Sequence, residues 1–226
     1  MGDINNQATR LVLIHGSSAG AWVWYKVKPM LEAAGHSITA LDMSASGVNT
    51  KTLEEVRTFD QYNEPLIEFM ANLPENEKVV LVGHSLGGLN LAFAMEKFPE
   101  KISLAILLLQ SCLILSTSHR ILVSSTPFQL TPIEDLTLQA LLNRPGSTFV
   151  ESLSKANKFT EDRYGSVPRV YIVCTEDILL SPSLQRFMIE QNEVKEVMEI
   201  PADHMAVFSK PKELSECILE LAQKHA

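Results

Sequence analysis

Short apolar runs and helical stripes alternate along this chain. Residues 11–14 form an unbroken apolar run that ends in the small-residue stretch His15-Gly16-Ser17-Ser18-Ala19-Gly20. The segment 22–34 then reads as a helix, which Gly35 closes as a C-terminal cap. Residues 38–41 are the next strand and 42–49 a loop, after which Leu66, Ile67, Met70 and Leu73 recur on helical spacing within 59–73. A third strand over 79–82 runs into a helix over 89–98, and a fourth strand spans 102–108. The pattern breaks over 110–126, which has no clean period, and resumes with short helices at 132–142 and 149–156. A strand at 170–173, a helix at 184–190, a strand at 197–200 and a last helix over 211–224 complete the alternation. Strands that are apolar throughout, alternating with helices of about ten to fifteen residues, predict a parallel sheet covered on both faces, which is a doubly wound α/β fold.

A length of 226 residues suits one domain, 1–226, with the irregular stretch and its two short helices forming an insertion over 109–157. A net charge of -8, with no clustered block of Lys and Arg, gives no footprint for nucleic acid or for an anionic membrane surface. The first ten residues are polar, so no secretory signal is read there, and no apolar run approaches the roughly 18 residues that a membrane span needs. A cytoplasmic protein is expected. Cys112, Cys174 and Cys217 have neither paired nor metal-like spacing, and they read as small buried hydrophobes in a reducing compartment.

Candidate chemistry centres on Gly83-His84-Ser85-Leu86-Gly87, a Gly-x-Ser-x-Gly pattern between a strand and a helix. A serine at so tight a turn is held in a strained conformation, and only residues without a Cβ fit on either side of it. In an open parallel sheet, function gathers at the carboxyl ends of the strands, where His15, Ser85, Asp177 and His204 are all expected. Serine, acid and histidine follow one another along the chain in the α/β-hydrolase order. Ser85 is therefore the expected nucleophile, His204 the base and Asp177 the residue that orients the imidazole, with the backbone N–H groups of Ser17 and Leu86 as oxyanion donors. His15 competes as base, and Glu176 and Asp203 compete as acid. His84 is expected to point away from the site with its hydrogen bonds satisfied, and His36 and His225 to lie on the surface. No metal-like cluster and no nucleotide-binding glycine pattern occurs, so neither a metal nor a cofactor is expected.

At these residues the chain resembles the plant methylesterase and hydroxynitrile lyase family of α/β-hydrolases. The resemblance runs through Gly20-Ala21-Trp22, Ala45-Ser46-Gly47, Gly83-His84-Ser85-Leu86-Gly87-Gly88, Phe98-Pro99-Glu100-Lys101-Ile102, Arg144-Pro145-Gly146-Ser147, Cys174-Thr175-Glu176-Asp177 and Asp203-His204-Met205. It implies the triad Ser85, Asp177 and His204, and a pocket lined by His15, Gly16 and Met205. It also implies hydrolysis of methyl esters of small plant metabolites, such as methyl salicylate, methyl jasmonate, methyl indole-acetate or an alkaloid ester. Besides the ester substrate, a homodimer is the one partner the sequence leaves open. The lyase branch places Thr at Gly16 and Lys at Met205, so these two positions favour hydrolysis over lyase chemistry.

Members of the family carry a longer lid between the fourth strand and the first of the two short helices, opening on a Met-Pro-Asp turn. Here Leu109-Gln110-Ser111-Cys112 stands in its place. With suitable codons, a shifted frame through this run spells a family-like lid entrance, which suggests a frame change near Ile106 regained near Gln129; sequencing the transcript across it is the test. A lid-truncated variant that only binds small molecules is the rival reading from another class.

Overall fold

The computed structural model describes residues 8–109 and 128–226. Six strands form one sheet in the order β2-β1-β3-β4-β5-β6. They are β1 (Arg10–Ile14), β2 (Ser37–Leu41), β3 (Val79–His84), β4 (Ile102–Leu108), β5 (Arg169–Cys174) and β6 (Glu196–Ile200). Every pairing is parallel, so all six carboxyl ends lie along one edge. The order reverses direction after β2, which places β1 and β3 at the crossover where such sheets open a crevice.

The predicted elements are present with shifted ends. The first helix is divided into a 3-10 turn at Ala21–Tyr25 and α1 (Val27–Ala33), and Gly35 follows with φ +94°, the left-handed conformation expected after a helix. Helix α2 (Phe59–Ala71) starts from a capping box between Thr58 and Gln61. Next come α3 (Gly87–Lys97), α4 (Ile133–Leu142), α5 (Val150–Leu153) and α6 (Pro182–Glu190), then the short α7 (Ala206–Ser209), which has too few residues to show a period, and α8 (Pro211–His225). The expectation of strands apolar throughout fails at both edges. β2 is only partly buried along most of its length and β6 alternates, because each lacks a neighbouring strand on one side.

Two apolar clusters, one on each face, hold the sheet. One gathers Val23, Trp24, Leu31, Leu214, Ile218 and Leu221 over β1 and β4. The other gathers Phe59, Leu66, Met70, Leu91 and Met95 on the opposite face. Phe149 joins the second cluster, with its ring centroid 5.1 Å from that of Tyr62, and so fastens the insertion to α2.

The returning part of the insertion is stitched across the carboxyl edge. Buried Asp135 of α4 accepts from Tyr25 Oη and Lys26 Nζ at 2.5 Å each. The Arg144 guanidinium donates to the carbonyls of Gly47, Asn49 and Lys51. The unusual run at 110–127, with its reduced lid entrance and proposed frame change, lies outside the described residues, as does Cys112. Cys174 and Cys217 are buried free thiols, as expected.

Candidate active site

Ser85 follows the last residue of β3 and has φ +53°, the left-handed region that an L-residue enters only when its surroundings impose it. Its amide donates to Leu108 O at 2.8 Å, which draws the turn against the end of β4. The two glycines are required by contact distance. A Cβ at Gly83 would stand 2.8 Å from the carbonyl carbon and oxygen of Gly87, and a Cβ at Gly87 would stand 2.6 Å from Ile14 O. Strand, turn and helix can therefore close only around the glycine-flanked serine. Ser85 itself is half-buried.

Asp177 and His204 come from loops after β5 and β6. Thr175 N donates to Ile200 O at 3.0 Å and Glu176 N to Ala202 O at 3.1 Å, so the ladder between these strands continues into the loops. His204 Nδ1 lies 2.8 Å from Asp177 Oδ2, both side chains being buried. The carboxylate's other oxygen accepts from the amides of Leu179 (2.7 Å) and Leu180 (3.0 Å), which leaves Oδ2 for the imidazole. Since a carboxylate oxygen accepts, Nδ1 carries the proton and Nε2 is the free basic nitrogen.

His84 is the connection between the serine turn and this pair. Its Nε2 donates to His204 O at 2.8 Å, and the two rings lie 5.3 Å apart between centroids. The expectation of a fully satisfied His84 is corrected: Nδ1 is buried and has no partner among the described residues. Burial pushes the His84 pKa down to about 3, so the ring stays neutral.

His15 is no free pocket wall. It is wholly buried, its Nε2 accepts from Met43 N at 3.1 Å, and its Nδ1 consequently donates to Gly16 O at 2.7 Å. The ring ties the loop after β1 to the loop after β2, and burial lowers its pKa. Asp42 completes this support by accepting from Ala21 N at 2.6 Å and Val48 N at 3.2 Å, and a Cβ at Gly47 would fall inside the Asp42 carboxylate.

Gly16 does face the serine, since a Cβ there would lie 3.2 Å from Ser85 Cβ and 3.1 Å from His84 Nδ1. Met205 is buried in the apolar cluster that contains Phe208, so an apolar group stands at the position of the lyase lysine. Neither the Ser17 nor the Leu86 amide donates to a protein acceptor among the described residues. Glu176 is exposed. His36 accepts from Thr9 N and His225 pairs with Glu196, and both are half-buried rather than fully exposed.

Sequence reasoning missed two supports. Gln185 is fully buried on α6; it accepts from Cys174 N and donates to the carbonyls of Cys174 and Leu180, bracing the loop that carries Asp177. Asp203, weighed above only as a rival acid, is fully buried and accepts four hydrogen bonds, none from the His204 ring. A polar residue on the inner face of an amphipathic helix was the one available signal for Gln185. Nothing local distinguished Asp203. No group of His, Cys, Asp and Glu suited to a metal occurs among the described residues.

The profile of the alpha/beta hydrolase family matches residues 11–216. Methylesterase 1 of Arabidopsis thaliana is 45% identical over 253 aligned residues, which take in 94% of this chain and 95% of its own length. That span exceeds the 226 residues here, so this relative carries residues with no counterpart in the chain. Salicylic acid-binding protein 2 of Nicotiana tabacum is 42% identical across 97% of this chain and 99% of its own. The crystal structure of polyneuridine aldehyde esterase, 40% identical, has a TM-score of 0.90, covering 96% of this chain and 100% of that one. The strand order, the serine turn and these likenesses agree: the chain belongs to the α/β-hydrolase family, among the plant methylesterases.

Proposed function

We propose that the protein is a serine carboxylesterase that hydrolyses methyl esters of small, largely apolar plant acids through an acyl-enzyme, with Ser85, His204 and Asp177 as its triad. The observation that carries this reading is the 2.8 Å bond between His204 Nδ1 and Asp177 Oδ2 at the strand edge where Ser85 sits in its left-handed turn. With Nδ1 protonated, Nε2 takes the proton of Ser85 as Oγ attacks the ester carbonyl. The amides of Ser17 and Leu86 donate to the oxyanion. His204 then passes its proton to the departing methoxy group, methanol leaves, and the same nitrogen activates a water that hydrolyses the acyl-Ser85 bond. No step calls for a cofactor.

Methyl salicylate, methyl jasmonate, methyl indole-acetate and alkaloid methyl esters are the substrates to try. The name of the tobacco relative, salicylic acid-binding protein 2, supports the salicylate ester, and that of polyneuridine aldehyde esterase supports an alkaloid ester. We assign the protein to the cytoplasm, as a single domain whose insertion over 109–157 is a reduced lid. Among the described residues no helix is long and apolar enough to cross a membrane. Hydrolysis of 4-nitrophenyl acetate by the protein and by Ser85→Ala tests the reading. The variant is expected to lose on the order of 10⁴-fold or more in kcat. Equal rates in the two proteins would remove the esterase assignment.

A further inference from the structure

Residues 129–131, where the insertion returns to the core, bind both loops that carry the proposed acid and base. Gln129 Nε2 donates to Glu176 O, immediately before Asp177. Leu130 N and Thr131 Oγ1 each donate to Asp203 Oδ2 at 2.9 Å, immediately before His204. The other oxygen, Asp203 Oδ1, accepts from Met205 N at 3.1 Å and Ser209 Oγ at 2.7 Å. A fully buried carboxylate is thus held by four donors, with no cation paired to it among the described residues. One donor, Met205 N, belongs to its own turn and one, Ser209, to the end of α7, while the other two belong to a segment more than seventy residues earlier.

The peptide that follows His204 is consequently held at both of its polar groups. Its carbonyl accepts from His84, and the next amide, that of Met205, is bound by Asp203. We propose that Asp203 is a positioning residue through which Leu130 and Thr131 set the direction of the His204 imidazole, so that the returning end of the insertion acts on the base as well as on any substrate above it. The inference rests on the triad reading of the preceding section. A carboxylate suits this place because four donors converge on it and it has only acceptors to offer. An amide of the same shape would turn an NH2 group toward two of those donors.

The test uses Thr131→Val, Thr131→Ser and Asp203→Asn in the full chain, with Ser85→Ala as control. Each variant is measured for kcat and KM on 4-nitrophenyl acetate, for the rate at which a fluorophosphonate labels Ser85, and for the thermal midpoint. Thr131→Val is expected to lower kcat and the labelling rate together, on the order of tenfold, with KM nearly unchanged. Thr131→Ser, which keeps the hydroxyl, is expected to restore both. Asp203→Asn is expected to fall further, toward roughly a hundredfold; if it does not fold, the threonine pair decides alone.

Wild-type kcat in Thr131→Val, or a loss in kcat fully explained by unfolded protein, would overturn the inference. So would a Thr131→Ser variant that behaves like Thr131→Val. An inactive Ser85→Ala beside an unaffected Thr131→Val would sink this inference alone, whereas an active Ser85→Ala would sink the triad reading beneath it.

Discussion

His84 shows how much one side chain can do next to the proposed nucleophile without joining the chemistry. Its Nε2–H fixes the His204 carbonyl while its buried Nδ1 goes unpartnered among the described residues, and burial holds its pKa near 3. In the unfolded chain a histidine titrates near 6.5. Below that pH the unfolded chain takes up a proton that the folded chain refuses, so the contribution of His84 to stability is present above about 6.5 and is lost as pH falls toward about 3. The expected slope is about 1.4 kcal/mol per pH unit, and His15, lowered by burial as well, acts in the same direction. His84→Gln can keep a donor toward His204 O but cannot titrate. Urea unfolding followed by circular dichroism between pH 6.5 and 4.5 should give a shallower loss of stability in this variant than in wild type, and identical slopes would refute the argument.

At the scale of elements, backbone strain collects along one edge of the sheet. Ser18, Ala45, Ser85 and Leu109, one after each of the first four strands, all have positive φ without being glycine. Tight glycine contacts occur on the same edge, at Gly47, Gly83 and Gly87. Gly87→Ala must push the end of β1 away, with Ile14 O at 2.6 Å and His15 O at 2.9 Å from the new Cβ, and the loop bearing Ser17 moves with it. A loss of about 2 kcal/mol is expected, together with a clear fall in kcat. Gly35→Ala meets nothing within 4 Å and sits at φ +94°, so it should cost about 1 kcal/mol of stability and leave kcat unchanged. Thermal unfolding beside esterase assays separates the two, and a full-rate Gly87→Ala would contradict the close packing. The strand at 102–108 was legible in the sequence, because a buried central strand reads as an apolar run, broken here only at Ser103. Helix α7 was not, since four residues carry no periodicity.

The whole chain is shorter than the alignment with its Arabidopsis relative, and the proposed place for the difference is the lid. A lid supplies apolar wall against the acyl group and keeps water out. If about 100 Å² of a bound acid stays wet, roughly 2.5 kcal/mol of binding is lost, or about 60-fold. The ratio of kcat/KM for methyl salicylate to that for 4-nitrophenyl acetate should therefore be smaller here than in Methylesterase 1 of Arabidopsis thaliana, by up to about that factor. Matching ratios in the two proteins would count against a reduced lid. Whatever its selectivity, the described end of the insertion is firmly fastened, by Asp135, Arg144 and Phe149 as well as by residues 129–131.

The amino-acid sequence alone determined the alternation of strands and helices, the glycine-flanked serine, and the chain order of Ser85, Asp177 and His204. These are local patterns: apolar period, turn chemistry and spacing are all written within a few residues of one another. Tertiary structure decided which His204 nitrogen meets Asp177, that His15 anchors a loop, that His84 joins the serine turn to His204, and that Asp203 accepts four hydrogen bonds, none from the His204 ring. Those outcomes depend on partners 28, 120 and 72 residues away, which the parallel register brings to one edge. A side chain's hydrogen bonds follow from what the sheet places beside it, and no stretch of neighbouring residues contains that information.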